Sequence, residues 1–248
     1  MSILLTSGVV PTRAGHLNPC AKITAIVLLG VPLLLSIDLV SSTILLAAEL
    51  VALPLLGLGP RLLGRYAWPM LVGLGGIVVA NLVAGGSIGS LGVVTVRLIA
   101  LALPGLLLVL TTDPVHLADA LVQVWHAPAR LAYGALAAFR LIPLLAGEWQ
   151  SLRRARRARG LDAGRNPVVA VRLAAGTLFA LLVVAIRRGI RLAAAMDSRG
   201  FGVRRDRSHA RPSRFSRVDW AFVAGTAVLA AVAVTVSVGT GHWHFLFA

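Results

Sequence analysis

Apolar residues run through this chain in long continuous stretches, not in alternation. A membrane-spanning helix needs about 20 mostly apolar residues. Five stretches approach that length: 23–36, which is short, then 39–58, 68–84, 91–110 and 220–238. Turn-forming clusters punctuate them, at Gly57-Leu58-Gly59-Pro60 and Gly85-Gly86-Ser87. A membrane β-barrel would instead show alternating segments of roughly 10 residues. Between the fourth and fifth stretches the pattern changes to helical periodicity with polar interruptions. Thr112-Asp113-Pro114 has the chemistry of a helix start, a capping side chain followed by proline at the first helical position. That helix should stop before Pro128. A second is predicted over about 130–158, where Leu131, Leu136, Phe139, Leu144, Leu145 and Leu152 recur at helical spacing and Pro143 should kink it. A third is predicted over about 167–198. Its middle, 173–186, is apolar enough to pass for another span. Arg172, Arg187, Arg188 and Arg191 on or beside it favour a long amphipathic helix. The fold class that follows is an all-α, polytopic membrane helical bundle of about five spans, with long cytoplasmic helices between the fourth and fifth.

Composition agrees. The 248 residues are 58% hydrophobic and 13% charged, with mean hydropathy +0.86. A water-soluble domain carries about twice that charge and could not hide so much apolar surface. Disorder is excluded for the same reason.

Charge sets the expected orientation. Arg13 and Lys22 precede the first span, and Arg61 and Arg65 lie between the second and third. The connections at 37–38 and 85–90 carry no basic residue. The positive-inside rule then places the N-terminus in the cytoplasm and the C-terminus outside, in a multi-pass protein of the plasma (inner) membrane. Segment 112–217 holds nineteen of the 24 basic residues against six acidic ones, a net +13 of the chain's +15. The expected organisation is a membrane domain over 1–111, a cytoplasmic domain over 112–217, and a final span with an external tail over 218–248. Residues 1–22 lack the pattern of a cleavable signal peptide.

One feature repeats. The second long helix of the basic segment ends in Arg156-Arg157-Ala158-Arg159-Gly160, and the third in Met196-Asp197-Ser198-Arg199-Gly200. Each finishes as small residue, arginine, glycine, about 40 positions apart. Glycine is the common residue just past a helix end, and arginine complements the dipole there, so one such end is ordinary. Two on consecutive long helices point further. A rigidly presented guanidinium can enter an acidic pocket of a partner with bidentate contacts. Two equivalent plugs imply two equivalent or pseudo-equivalent partners.

These residues resemble the transmembrane T component of energy-coupling factor transporters, the family that includes cobalt and biotin importer versions. Four places carry the resemblance: His16-Leu17-Asn18-Pro19-Cys20-Ala21-Lys22; Thr111-Thr112-Asp113-Pro114 with Leu117, Ala120 and Leu121; Arg140-x-x-Pro143 with Glu148 and Ala158-Arg159-Gly160; and Ala194-Ala195-Met196-Asp197-Ser198-Arg199-Gly200-Phe201. The resemblance implies that Ala158, Arg159 and Gly160, and likewise Ser198, Arg199 and Gly200, dock into two ATP-binding-cassette subunits. The second set departs from Ala-Arg-Gly by a serine, which is small enough to fit. It further implies a non-catalytic scaffold. Such a scaffold passes ATP-driven movement to a small substrate-binding membrane subunit, the S component, that captures a vitamin or metal ion.

Other features add little chemistry. Lys22 is the only lysine and belongs to no phosphate-binding Gly-rich loop, so ATP would be bound by another subunit. No cofactor is expected. Cys20, the single cysteine, has no internal disulfide partner. His116 and His126 lack a carboxylate companion, and His242 with His244 are too few for a metal. Glu49 and Arg97 lie inside spans, where they either pair or Arg97 reaches the outer interface. The Gly85/Gly89 spacing and the glycines at 73, 75 and 76 read as close helix packing. The run Arg204, Arg205, Arg207, Arg211, Arg214 and Arg217 abuts the last span, which favours anionic lipid over nucleic acid. Two competing readings remain. One is the permease of an ordinary ABC importer, although Ala193-Ala194-Ala195 lacks the acidic residue that begins such a loop. The other is a non-transport membrane protein with a lipid-binding basic domain.

Overall fold

A computed structural model describes residues 13–36, 38–57, 60–83, 85, 88–161, 164, 166–201 and 211–241. A short 3-10 turn, Arg13–His16, precedes eight helices: α1 Pro19–Leu35, α2 Leu39–Leu55, α3 Pro60–Val83, α4 Ile88–Thr111, α5 Pro114–Gln123, α6 Ala129–Ala158, α7 Pro167–Ser198 and α8 Arg217–Gly239. The protein is an all-α membrane protein. Four helices among the described residues are long and apolar enough to cross a bilayer: 91–111 within α4, and α6, α7 and α8. Shorter apolar helices cover 19–35, 39–54 and 71–83.

Local chemistry sets most helix starts. Asn18, Asp38, Asp113 and Asn166 each turn a side-chain oxygen onto a free backbone N–H of the first turn. Proline follows three of them at the first helical position, at 19, 114 and 167. Ser216 and Asp219 form a reciprocal capping box on α8. One boundary differs widely from the sequence expectation. α3 begins at Pro60, eight residues before the predicted start of the third span, so Arg61 and Arg65 fall within helix and not in a connection. Proline suits a first helical position, and a hydropathy window blind to capping misses it.

Compactness divides the chain into residues 1–125 with 213–248, and residues 126–212. The charge pattern marked boundaries at 111 and 217 instead; α5 belongs to the first unit.

In the first unit α1, α2, α4 and α8 share a core. Leu29, Leu33, Leu45, Ala100 and Ala233 pack together, flanked by Ile44, Leu46, Leu101 and Leu229. Two buried carboxylates fasten α8 to the N-terminal helices. Asp219 accepts from the Asn18 amide at 2.7 Å, joining the starts of α1 and α8. Asp38, 3% exposed, sits in the α1–α2 connection. It accepts from the Ser36 hydroxyl (2.6 Å), the Ser41 amide (2.8 Å), and the Ser41 and Ser237 hydroxyls. Burial works against the charged form of Asp38. The bonds from Ser237, Ser36 and Ser41 outweigh it and hold the carboxyl below the usual carboxylate range. The outward faces are apolar, with Val27, Leu34, Val51, Val72 and Val79 exposed. Such faces suit lipid and not water.

The second unit packs α6 against α7. Its outward faces also carry exposed large apolar residues, among them Leu131, Phe139, Val171, Phe179 and Ile190.

Candidate functional site

The two arginine-tipped helix ends are built alike. At the end of α6, Arg159 is the cap residue with φ −88° and ψ 8°. At the end of α7, Arg199 has φ −88° and ψ 7°. The next residue is a left-handed glycine in both, Gly160 at φ 76° and Gly200 at φ 69°. The residue after that turns its amide back onto the helix: Leu161 N donates to Arg156 O, and Phe201 N to Met196 O, each at 3.0 Å. Gly160 N donates to Arg157 O, and Gly200 N to Asp197 O, each at 2.9 Å. This is the Schellman arrangement, repeated bond for bond. It answers the last carbonyls of each helix and leaves the arginine on the outer shoulder of the turn.

Ala158, Arg159, Gly160, Ser198 and Arg199 are exposed, and Gly200 is half-buried. The serine that departs from the repeat donates its hydroxyl to Ala195 O at 3.0 Å. Its polar group is thus turned onto its own helix, and the surface presented remains small. Both glycines stand just past a helix end, as the sequence reading has them, and both are left-handed.

Lys22, within the first motif quoted above, is buried. Its ammonium donates to Thr111 O (2.9 Å), Thr111 Oγ1 (3.2 Å) and Thr112 Oγ1 (3.1 Å). The first motif and the second are therefore one piece of structure, fastening α1 to the end of α4. Asn18 acts likewise on the chain before α8, donating to Ser213 Oγ at 3.1 Å.

The two charges inside predicted spans do not pair. Arg97 donates to Leu33 O at 2.6 Å and Leu34 O at 3.3 Å, so it serves the carbonyls at the end of α1. Glu49, 6% exposed, has no hydrogen-bond partner on either carboxyl oxygen. It borders a cavity of about 120 Å3 walled by apolar residues of α1, α2, α4 and α8, with Lys22 on the same wall.

Sequence reasoning missed the tertiary partners of Asp38 and Asp219, although Ser216 with Asp219 carries the capping-box spacing. It also missed Arg156, whose Nη1 crosses to Leu173 O on α7 at 2.7 Å. No cluster of three metal-ligating side chains occurs among the described residues. The His242 and His244 pair and Arg204, Arg205 and Arg207 lie outside those residues.

The chain is similar to the energy-coupling factor transporter transmembrane protein EcfT of Lacticaseibacillus paracasei, 32% identical over 142 residues, 54% of each chain. The protein of that name from Thermosediminibacter oceani is 34% identical over 142 residues, again 54% of each. That of Bacillus subtilis is 30% identical over 147 residues, 56% of each. The chain thus spans about half the length of the curated relatives it matches. A family model described as cobalt transport protein, CbiQ, matches residues 12–210. That match takes in all four motifs and both helix ends, and the chain belongs to the CbiQ family.

Proposed function

We propose that this chain is the transmembrane T component of an energy-coupling factor importer. In this reading it joins two ABC ATPase subunits to a small membrane S component that binds a vitamin or metal ion. It hydrolyses nothing itself. Ala158-Arg159-Gly160 docks one ATPase and Ser198-Arg199-Gly200 the other, on the cytoplasmic side, with the N-terminus cytoplasmic and the C-terminus external. Segment 112–217 serves as the coupling domain.

The observation that supports this best is the identity of the two helix ends. An arginine at one helix end is common; two ends sharing cap angles, glycine conformation and hydrogen bonds present one shape twice. A pair of similar ATPases needs such a shape, because each subunit must be gripped in the same way. A guanidinium held on a rigid turn loses little freedom on docking and can engage a carboxylate through two parallel N–H donors. The apolar outer faces of α6 and α7 offer lipid or a membrane partner a surface of the right kind.

The test is the double variant Arg159→Glu with Arg199→Glu, expressed with its transporter partners. Reversed charge should abolish ATPase co-purification and ATP-driven uptake while the chain still inserts in the membrane. Normal uptake by the double variant would remove the reading.

A further inference from the structure

Among the described residues, three contacts join α6 to α7 and its terminal turn, in reversed order along the two helices. Near the start of α6, Tyr133 meets Phe201 edge-on, with ring centroids 6.0 Å apart and planes at 77°. Further along, the Glu148 carboxylate accepts from the Arg188 guanidinium. At the end of α6, Arg156 Nη1 donates to Leu173 O at 2.7 Å.

The third contact depends on a glycine. A Cβ at position 176 would stand 3.3 Å from Arg156 Nη2 and 3.4 Å from Nη1. The guanidinium therefore lies against bare α7 backbone; a Cβ alone would require it to give by a few tenths of an ångström, and a branched side chain as large as leucine would compete for its place.

Two of the three contacts come from the terminal turns themselves. Arg156 supplies the carbonyl that closes the first end, bonded by Leu161 N. Its side chain then fastens that end to α7. Phe201 supplies the amide that closes the second end. Its ring then fastens that end to α6. Each arginine tip is thus tied to the opposite helix by a residue of its own terminal turn. The contacts run from 133 to 156 on α6, about 34 Å at 1.5 Å per residue. A half-buried ion pair alone holds little. Contacts spread over such a length resist a change of crossing angle far better than the same contacts at one point.

We propose that these contacts form a clasp that makes the two tips one rigid body. Tyr133, Glu148, Arg156, Gly176 and Arg188 are positioning residues that fix the spacing between Arg159 and Arg199. Movement imposed on one tip is then delivered at the other, not lost in scissoring of α6 over α7. The purpose of the clasp rests on the docking role proposed for the two tips; its geometry does not.

The clasp is tested on the full chain in lipid nanodiscs without ATPases. Cys20→Ala removes the native thiol, and nitroxide labels are placed at Arg154→Cys and Ala194→Cys, both exposed positions outside the tips and the clasp. Pulsed electron–electron resonance should read one narrow distance in this parent. Gly176→Leu should broaden it and add a second population. Leucine is the better helix former, so loss of helix is not the expected cause, and circular dichroism checks this. Glu148→Arg should broaden the distance as well, and Arg188→Glu in the same chain should restore it. Narrow, parent-like distances in both single variants, or a charge swap that fails to restore the distance, would overturn the clasp. Because no ATPase is present, failure of the docking reading leaves this measurement unchanged.

Discussion

The glycines that end α6 and α7 allow a graded test of the docking reading. An atom placed as Cβ at Gly160 or Gly200 would meet nothing within 4 Å, so a substitution there strains the backbone alone. Their φ values of 76° and 69° lie in the left-handed region. That region costs an ordinary residue roughly 1–2 kcal/mol. At Gly160→Ala the equilibrium constant for forming the terminal turn should therefore fall by a factor of about 5–30. If only the formed turn presents Arg159 correctly, apparent affinity for the ATPase falls with the formed fraction, by up to the same factor. Gly160→Asn should fall much less, because asparagine tolerates the left-handed region, and Gly160→Val should fall most. The same order should hold at Gly200. The assay is binding of the purified ATPase pair to nanodisc-embedded variants, with helix content followed in parallel. Equal affinity for the Asn, Ala and Val variants would refute the link between turn geometry and docking.

Three further outcomes are expected. Ser198→Ala should leave ATPase binding and uptake within about twofold of the parent, since the hydroxyl it removes bonds only its own helix, a contact worth about 1 kcal/mol or less; a large loss of uptake would assign that hydroxyl to the partner. Asp38→Ala should destabilise the first unit by roughly 3 kcal/mol, because three buried hydroxyls lose their acceptor, as read by detergent unfolding monitored through tryptophan fluorescence. The folded carboxyl is held below its unfolded value near 4, so its stabilisation is present above that pH and is lost as pH falls through the lower folded value; the parent should weaken over that acid range more than the variant, and parallel curves would contradict the assignment. Glu49→Leu should raise the unfolding midpoint, because it replaces a carboxyl with two unpartnered buried oxygens by an apolar side chain, a change worth about 1–3 kcal/mol; a lowered midpoint would show that the carboxyl has a stabilising role.

Much of the fold was legible because it is written in local chemistry. The helix predicted over about 167–198 has those bounds, since Pro167 suits a first helical position and Arg199 and Gly200 end it. That Gly160 and Gly200 stand just past helix ends followed from helix-termination rules alone. The start of α3 was not readable from hydropathy, because Pro60, Arg61 and Arg65 interrupt the apolar run without interrupting the helix. The fate of Arg97 also escaped the sequence. Its acceptors are carbonyls of residues 33 and 34, and backbone acceptors exist at every position and leave no mark in the pattern.

By itself the sequence determined an all-helical membrane protein with two matched arginine-tipped helix ends, because periodicity, capping and termination act over a few neighbouring residues. The tertiary structure alone decided that α8 closes against α1 and α2 through Asp219 and Asp38, bonds that span 201 and 199 residues. It alone decided that Arg156 lies on Gly176 and that Glu49 is left without a partner. The physical reason is range. A cap or a terminal turn is chosen by residues a few places away, whereas a buried polar group takes whatever partner the packed helices bring within about 3 Å.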